Sequence, residues 1–314
     1  MTVLASSTTA PSTRQLGLGV AAGLAAGALW GMVFVVPRMT PGLSSVDLTA
    51  GRFVSYGAMA ALAMAFTWRK HRWPSPAQAA SALGMSALGA TGYYLLLALS
   101  ISAVGSEVPT LIIGTIPIWV MLLGKPQGLR WAALLPGLLL TAGGLALMMQ
   151  HTWAHASMGI TGGQEFWWGV ALALAAMVSW TAFALLNAAW LRRHPLVSAT
   201  EWSNWLGIAT GLGAVCLWLL LGSESNDLLA LDGKAFIALV CIATGIGSGW
   251  VASILWNLAS QRLSVSLCGQ LIVSETLFGL MYSFAWDGHW PASVQWLAAL
   301  LFTLGIVASI QAHR

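Results

Sequence analysis

Long apolar runs, interrupted by short polar stretches, make up nearly the whole chain. A helix needs about 20 apolar residues to cross the hydrocarbon core of a bilayer. Charge, Pro and Gly punctuate the sequence into ten runs near that length: 15–37, 44–67, 76–102, 106–123, 129–150, 166–190, 197–221, 235–260, 264–285 and 291–311. The pattern predicts an all-α integral membrane protein with ten transmembrane helices. Several starts carry local signals. Ser75-Pro76 followed by Gln78 supplies an N-cap serine, a proline at the first helical position and a capping-box partner. Ser44 with Asp47 is a similar start, which makes Asp47 a cap rather than a substrate ligand. Pro117 and Pro136 fall inside runs, where each frees a backbone carbonyl and kinks the helix toward a cavity.

Composition agrees with the pattern. Of 314 residues, 58% are hydrophobic and 7% charged, with a mean hydropathy of +0.80. A soluble domain carries about 25% charged residues, so lipid is the solvent here. The net charge of +4 is then a matter of sidedness and not of nucleic-acid binding. With a cytoplasmic N-terminus, Arg14, Arg69, Lys70, Arg72, Lys125, Arg130, Arg192, Arg193, Arg262 and Arg314 all fall inside. Only Arg38 and Lys234 fall outside. Both termini are therefore expected in the cytoplasm. Residues 1–14 are small and polar and read as a disordered cytoplasmic tail. Cys216, Cys241 and Cys268 lie in apolar runs without metal-ligand or disulfide spacing, as small buried hydrophobes do.

The chain also repeats itself. A shift of 150 residues aligns Gly19, Val20, Ala21, Leu24, Ala25, Ala26 and Trp30 with Gly169, Val170, Ala171, Leu174, Ala175, Ala176 and Trp180. A shift of 159 matches the apolar profile of 93–120 to that of 252–279, and a shift of 162 matches "LLLTAGGLA" to "LLFTLGIVA". The expected organisation is a first five-helix repeat at 15–150, an outer connection at 151–165 and a second five-helix repeat at 166–311. Five is odd, so the second copy enters the membrane inverted. Inverted repeats of this kind rock about a midplane site in alternating access. Gly19, Gly23, Gly27 and Gly31 form a smooth stripe on the first helix. Such stripes let helices approach closely in lipid, and the repeat makes this one an intramolecular sliding surface.

"LWGMVFVVPRM" in the first helix, "LTAGRF" in the second, "GTIPIWVML" in the fourth and "LLTAGGLAL" in the fifth resemble the drug/metabolite transporter superfamily, EamA type. The resemblance covers roughly 15–311. The Tyr93-Tyr94 pair, the length and the wealth of tryptophan are similar to the bacterial aromatic amino-acid exporters of the YddG type. Two positions depart from the family pattern: Glu275 precedes Thr276 where Glu-Pro is common, and Gly124 precedes Lys125 where Gly-Glu is common. These departures put in doubt any coupling role carried over for acidic residues. The resemblance implies a central cavity lined by the third, fourth, eighth and ninth helices.

Ionisable groups inside spans are costly and mark function by default. Glu275, near the middle of the ninth run, has two readings: a contact for a substrate ammonium or coupling proton, or a carboxyl that ties helices together. Arg52, some eight residues into the second run, either binds a substrate carboxylate or reaches a carbonyl, a helix end or the interface. Asn257 and Gln270 stand on the eighth and ninth helices, where interhelical hydrogen bonding competes with substrate contact. Trp30 and Trp180 occupy equivalent places in the two copies, with Tyr93, Tyr94 and Trp119 nearby in sequence pattern. An aromatic lining suits a large apolar or aromatic side chain, and core packing is the competing reading. The remaining tryptophans at run ends form an interfacial belt.

No Walker loop or catalytic cluster is written in the chain, and His151 with His155 lacks further ligands, so no cofactor, metal or enzymatic role is expected. The sequence points to a multi-pass protein of the cytoplasmic (inner) membrane. Its expected role is a secondary transporter that exports small metabolites, foremost amino acids with aromatic or other large neutral side chains. Alternatives are another metabolite or drug as cargo, an intramembrane enzyme, or a non-transporting scaffold. The expected partners are a small-molecule substrate and the bilayer, with a monomer as the assembly.

Overall fold

The computed structural model describes residues 13–67, 73–104, 107–126, 128–155, 163–288 and 290–313. The expected tail at 1–14, apart from its last two residues, lies outside them, as do Arg69, Lys70, Arg72, Arg314 and residues 156–162 of the 151–165 connection. Every element among the described residues is helical. They are α1 (Thr13–Gly31), α2 (Val36–Met39), α3 (Ser45–Thr67), α4 (Pro76–Gly89), α5 (Thr91–Val104), α6 (Glu107–Ile113), α7 (Ile116–Leu123) and α8 (Trp131–His155). The second half holds α9 (Gln164–Arg193), α10 (Ala199–Leu221), α11 (Ser225–Ala230), α12 (Lys234–Thr244), a π-helical segment at Gly245–Val251, α13 (Ala252–Arg262), α14 (Val265–Asp287) and α15 (Ser293–Ala312).

Laid end to end these form ten rods, with α1–α2, α4–α5, α6–α7 and α12–α13 each counted as one and the short α11 left in a loop. Eight of the described helices are long and apolar enough to cross a membrane. Two rods fall short of that description for visible reasons. The 23-residue α3 carries Asp47 and Arg52, which lower its hydropathy, and the apolar stretch of α6–α7, Val108–Leu123, is short.

Local chemistry starts the rods where the sequence says. At Ser75, Oγ accepts from Gln78 N (3.3 Å) and Gln78 Oε1 accepts from Ser75 N (2.9 Å), with Pro76 in the first turn. Ser198 and Glu201 form the same box at the start of α10. Asp47 does cap α3 through Ser44, and it also reaches across the bundle. Its Oδ1 accepts from Ser223 N at 3.0 Å and its Oδ2 from the Ser223 hydroxyl at 2.6 Å.

Three breaks run against the continuous spans expected from apolarity. The third rod leaves helical geometry at Ala90, between α4 and α5 (φ −132°, ψ −88°). The fourth restarts at Ile116, where Pro117 sits at a helix start and not in mid-helix. The eighth widens into the π-segment "GIGSGWV". Pro136, by contrast, is accommodated within an unbroken α8.

Packing is tightest where glycines let backbones meet. A Cβ added at Gly57 would lie 2.7 Å from the Gly211 Cα and 3.0 Å from the Gly207 carbonyl, so α3 and α10 cross at backbone distance. The glycine stripe of α1 faces α13 and α14 of the same chain. Gly19 meets Leu263, Gly23 meets Leu271, Gly27 meets Ser274, and a Cβ at Gly31 would lie 2.7 Å from Gly279 N. Most of the described positive charges gather at one end, Arg38, Arg52 and Lys234 excepted. There Arg262 Nε donates to Gln15 Oε1 (2.9 Å), Gln261 reaches the Val197 carbonyl and Ser266 N bonds Gly124 O. Lys125 also lies there, its Nζ 5.0 Å from the Trp131 ring centre.

Filling the Gly57–Gly211 crossing should overpack it. Gly57→Leu is expected to lower stability by roughly 1–3 kcal/mol, read as a fall in Tm of the detergent-purified protein. Gly84→Ala, where an added Cβ meets nothing within 4 Å, should leave Tm unchanged or raise it.

Candidate functional site

The broken rods surround a cavity of about 610 Å³. Its lining begins near the middle of the bundle at Asn257 and Ile272. From there it extends past Arg52, Tyr93 and Glu275 to Thr49, Ile101, Thr110 and Ser283, close to the end opposite the positive charges. All three breaks feed it: Gly89 and Ala90 from the third rod, Gly114 and Pro117 from the fourth, and Gly245, Ser248 and Gly249 from the eighth. A π-turn leaves the regular i→i−4 ladder and is common at functional sites. Here the Ser248 carbonyl accepts from Trp30 Nε1 at 2.9 Å, so the first rod is tied to the widened turn.

Aromatic rings form the deep part of the wall. Trp30 and Trp256 lie 5.3 Å apart between ring centres at 51°, and Trp180 stands 6.5 Å from Trp256 and 6.0 Å from Phe183. These tilted and edge contacts suit ring quadrupoles and leave faces free toward the cavity. Phe53 meets Tyr94 edge-on at 6.3 Å, and the Tyr94 hydroxyl donates to the Ser45 carbonyl at 2.9 Å.

Among the described lining residues only Arg52 and Glu275 carry charge. They stand on α3 and α14 and line the same cavity. Among the described residues, Arg52 Nε is buried without a hydrogen-bond partner, and so is Trp256 Nε1. A buried donor without an acceptor costs about 1–3 kcal/mol, and both atoms are covered by their neighbours, so an acceptor meets them only once those neighbours shift.

The half of the bundle toward the positive end is closed by hydrogen bonds. Asn187 Nδ2 donates to Asn257 Oδ1 (2.8 Å), Asn257 Nδ2 to Ser203 Oγ (2.8 Å), Trp202 Nε1 to Asn187 Oδ1 (2.6 Å) and the Tyr56 hydroxyl to the Ser203 carbonyl (2.9 Å). Stacked beside them, Trp190 and Trp202 lie 3.7 Å apart and His194 lies 4.0 Å from Trp190.

Of the residues singled out from the sequence, Trp30, Arg52, Tyr93, Tyr94, Trp180, Asn257 and Glu275 meet in this one cavity. Two do not. Trp119 faces outward, 43% exposed, with its Nε1 on Thr115 Oγ1. Gln270 is fully buried between α8 and α15: its Nε2 donates to Thr141 Oγ1 (2.7 Å) and its Oε1 accepts from Ser309 (3.0 Å). Each end of that amide holds a partner on another helix, and Gln270 is fully buried outside the cavity lining, so it pins helices. Trp256 and Ser248 are the contributors that sequence reading missed. Trp256 lies within the profile-matched segment, next to Asn257, and that adjacency was the available signal. Side chains of His151 and His155 lie outside the described residues.

Comparisons with known proteins bear on the family and the fold. Residues 17–150 match the model of the EamA-like transporter family. The inner membrane protein YtfF of Escherichia coli (strain K12) is 31% identical over 315 residues, covering 94% of this chain and 95% of that protein. A solved crystal structure superposes with a TM-score of 0.74 at 20% identity, covering 93% of this chain and 97% of the other, which is a likeness of fold.

Truncating the buried amide should register in stability: Gln270→Ala is expected to lower it by about 1 kcal/mol, measured by thermal unfolding in detergent. With a relative of this identity along nearly its whole length, the chain belongs to the EamA-like transporter family and is a multi-pass inner-membrane transporter of small molecules.

Proposed function

We propose that the chain exports amino acids with aromatic or other large neutral side chains, by alternating access around the central cavity. The observation that carries this reading is the lining itself, in which an aromatic wall of Trp30, Trp180 and Trp256 accompanies one cation and one anion. Stacking and edge contacts hold an aromatic side chain, and the charged groups hold the ends of a small zwitterion.

On this reading ten transmembrane helices form two inverted halves, 15–150 and 166–311, with both termini cytoplasmic. Packing supports the duplication. The third rod packs on the sixth and the first on the eighth, an exchange of equivalents. The second pairs with the seventh, the fourth with the ninth and the fifth with the tenth, each rod on its own counterpart. Local chemistry recurs as well. Thr115 donates to the Ile112 carbonyl and Ser274 to the Leu271 carbonyl, both at 2.7 Å and 159 residues apart. The break at Ala90 falls at the same offset from the π-segment. The pooled cations at one end, which also holds Gln15, support cytoplasmic termini.

A second cargo class, a more lipophilic drug or metabolite, is favoured by one feature. An apolar pocket of about 480 Å³ between the outer parts of α14 and α15 is lined by Leu277, Phe284, Trp290 and Trp296 and shares Leu280 with the central cavity.

Efflux from proteoliposomes loaded with labelled amino acids, with and without a pH gradient, tests the proposal. Phenylalanine, tyrosine, tryptophan or leucine should leave at a protein-dependent rate, and a panel with no such flux ends the amino-acid reading. Trp180→Ala and Trp256→Ala should each reduce that flux at least tenfold, while Trp119→Ala leaves it within twofold.

A further inference from the structure

We infer that Arg52 and Glu275 together form a charge-neutrality filter: the cavity admits ligands that carry one positive and one negative charge on a common centre and rejects singly charged analogues of the same shape. The inference deepens the amino-acid reading above and rests on it. Its basis is the census of the wall. Among the described residues, forty-two line the cavity, and the charged ones are a single arginine and a single glutamate, so opposite charges share one cavity. Among the same residues, Arg52 Nε is buried without a hydrogen-bond partner. Most of the remaining lining is apolar or aromatic, which lowers the local dielectric and strengthens whatever charges are present.

A ligand's net charge therefore decides its fit. A guanidinium stays protonated and presents a planar fork that matches a carboxylate. Among the described residues, Trp256 Nε1 adds a second unpaired donor in the same wall. An α-carboxylate satisfies such donors once their neighbours shift, while the ammonium faces Glu275. The occupied cavity then contains two opposite pairs and no net charge. A monoanion of the same side-chain shape would pair with Arg52 and leave the Glu275 carboxylate uncompensated. A monocation would leave Arg52 so. An uncompensated charge in such a cavity is costly, as it is when one partner of a buried pair is removed. Affinity for the zwitterion thus comes from the two charges acting jointly, and rejection of the others comes from whichever charge is left over.

Three probes that share one ring test this: L-phenylalanine, 3-phenylpropionate and 2-phenylethylamine. Unlabelled probes compete against labelled phenylalanine efflux in proteoliposomes, with protein-free liposomes subtracted. In the wild type, phenylalanine should compete at least tenfold more strongly than either analogue. Glu275→Gln should raise the relative strength of 3-phenylpropionate at least tenfold, and Arg52→Gln should do the same for 2-phenylethylamine. Equal competition by the three probes in the wild type overturns the filter. So does an unmoved preference in variants that elute as the wild type on gel filtration. If the variants do not fold, ligand-induced Tm shifts of the wild type decide: a shift with phenylalanine alone upholds the filter, and an equal shift with either analogue ends it. Absence of any amino-acid flux by the wild type is a different result, since it removes the amino-acid reading itself.

Discussion

Helices in lipid gain nothing from hiding apolar surface from one another, so they hold together only where their backbones come close or where polar groups find each other. The rest of this architecture depends on that constraint. Gly57 against Gly211 joins α3 to α10, Gly31 against Gly279 joins α1 to α14, and a Cβ on Gly269 would lie 2.9 Å from Met121 N, where α7 meets α14. Rods drawn together at such points diverge elsewhere, and the space between them becomes the cavity. Its volume is a by-product of where the chain has no side chains.

The two halves of the bundle are held by different chemistry. Toward the positive end, Asn187, Asn257, Ser203 and Trp202 form a dry chain of hydrogen bonds, and Gln270 fastens α14 to both α8 and α15. Toward the other end the described lining is aromatic and apolar, apart from Arg52, Glu275 and scattered hydroxyls, and Asp47 with Ser223 ties the start of α3 to the residues after α10. The hydrogen-bonded half fixes the geometry against which the aromatic wall is placed. That placement lets Trp30 spend its indole N–H on the Ser248 carbonyl while its ring remains at the cavity.

Much of this was legible in the residues. Apolar run length located the rods to within a few residues, since lipid demands a minimum length. Ser75 and Ser44 announced their helix starts because capping is local. Charge inside an apolar run marked Arg52 and Glu275, and the sequence match at a shift of 150 marked Trp30 and Trp180. What failed to show was whatever depends on facing direction across the bundle. Trp119 looked like Tyr93 in one dimension, but rotation of α7 turns it outward. Gln270 looked like Asn257, yet its two partners, Thr141 and Ser309, lie 129 and 39 residues away. The breaks at Ala90 and 245–251 were invisible because apolarity reports that a segment is in lipid and not how its backbone winds. Pro117 hinted at one break, while Pro136, with the same apolar surroundings, produced none.

The widened turn at 245–251 has one more consequence. A π-turn holds an extra residue relative to an α-helix of equal rise, so it absorbs that residue without rotating the helix beyond it. Removing one residue from the segment would let the ladder close regularly and leave Trp256 and Asn257 facing the space they line. What would go is the widened turn itself, at which the Ser248 carbonyl accepts from Trp30 Nε1. For this stretch the extra residue shapes the wall, and the facing of α13 is indifferent to it.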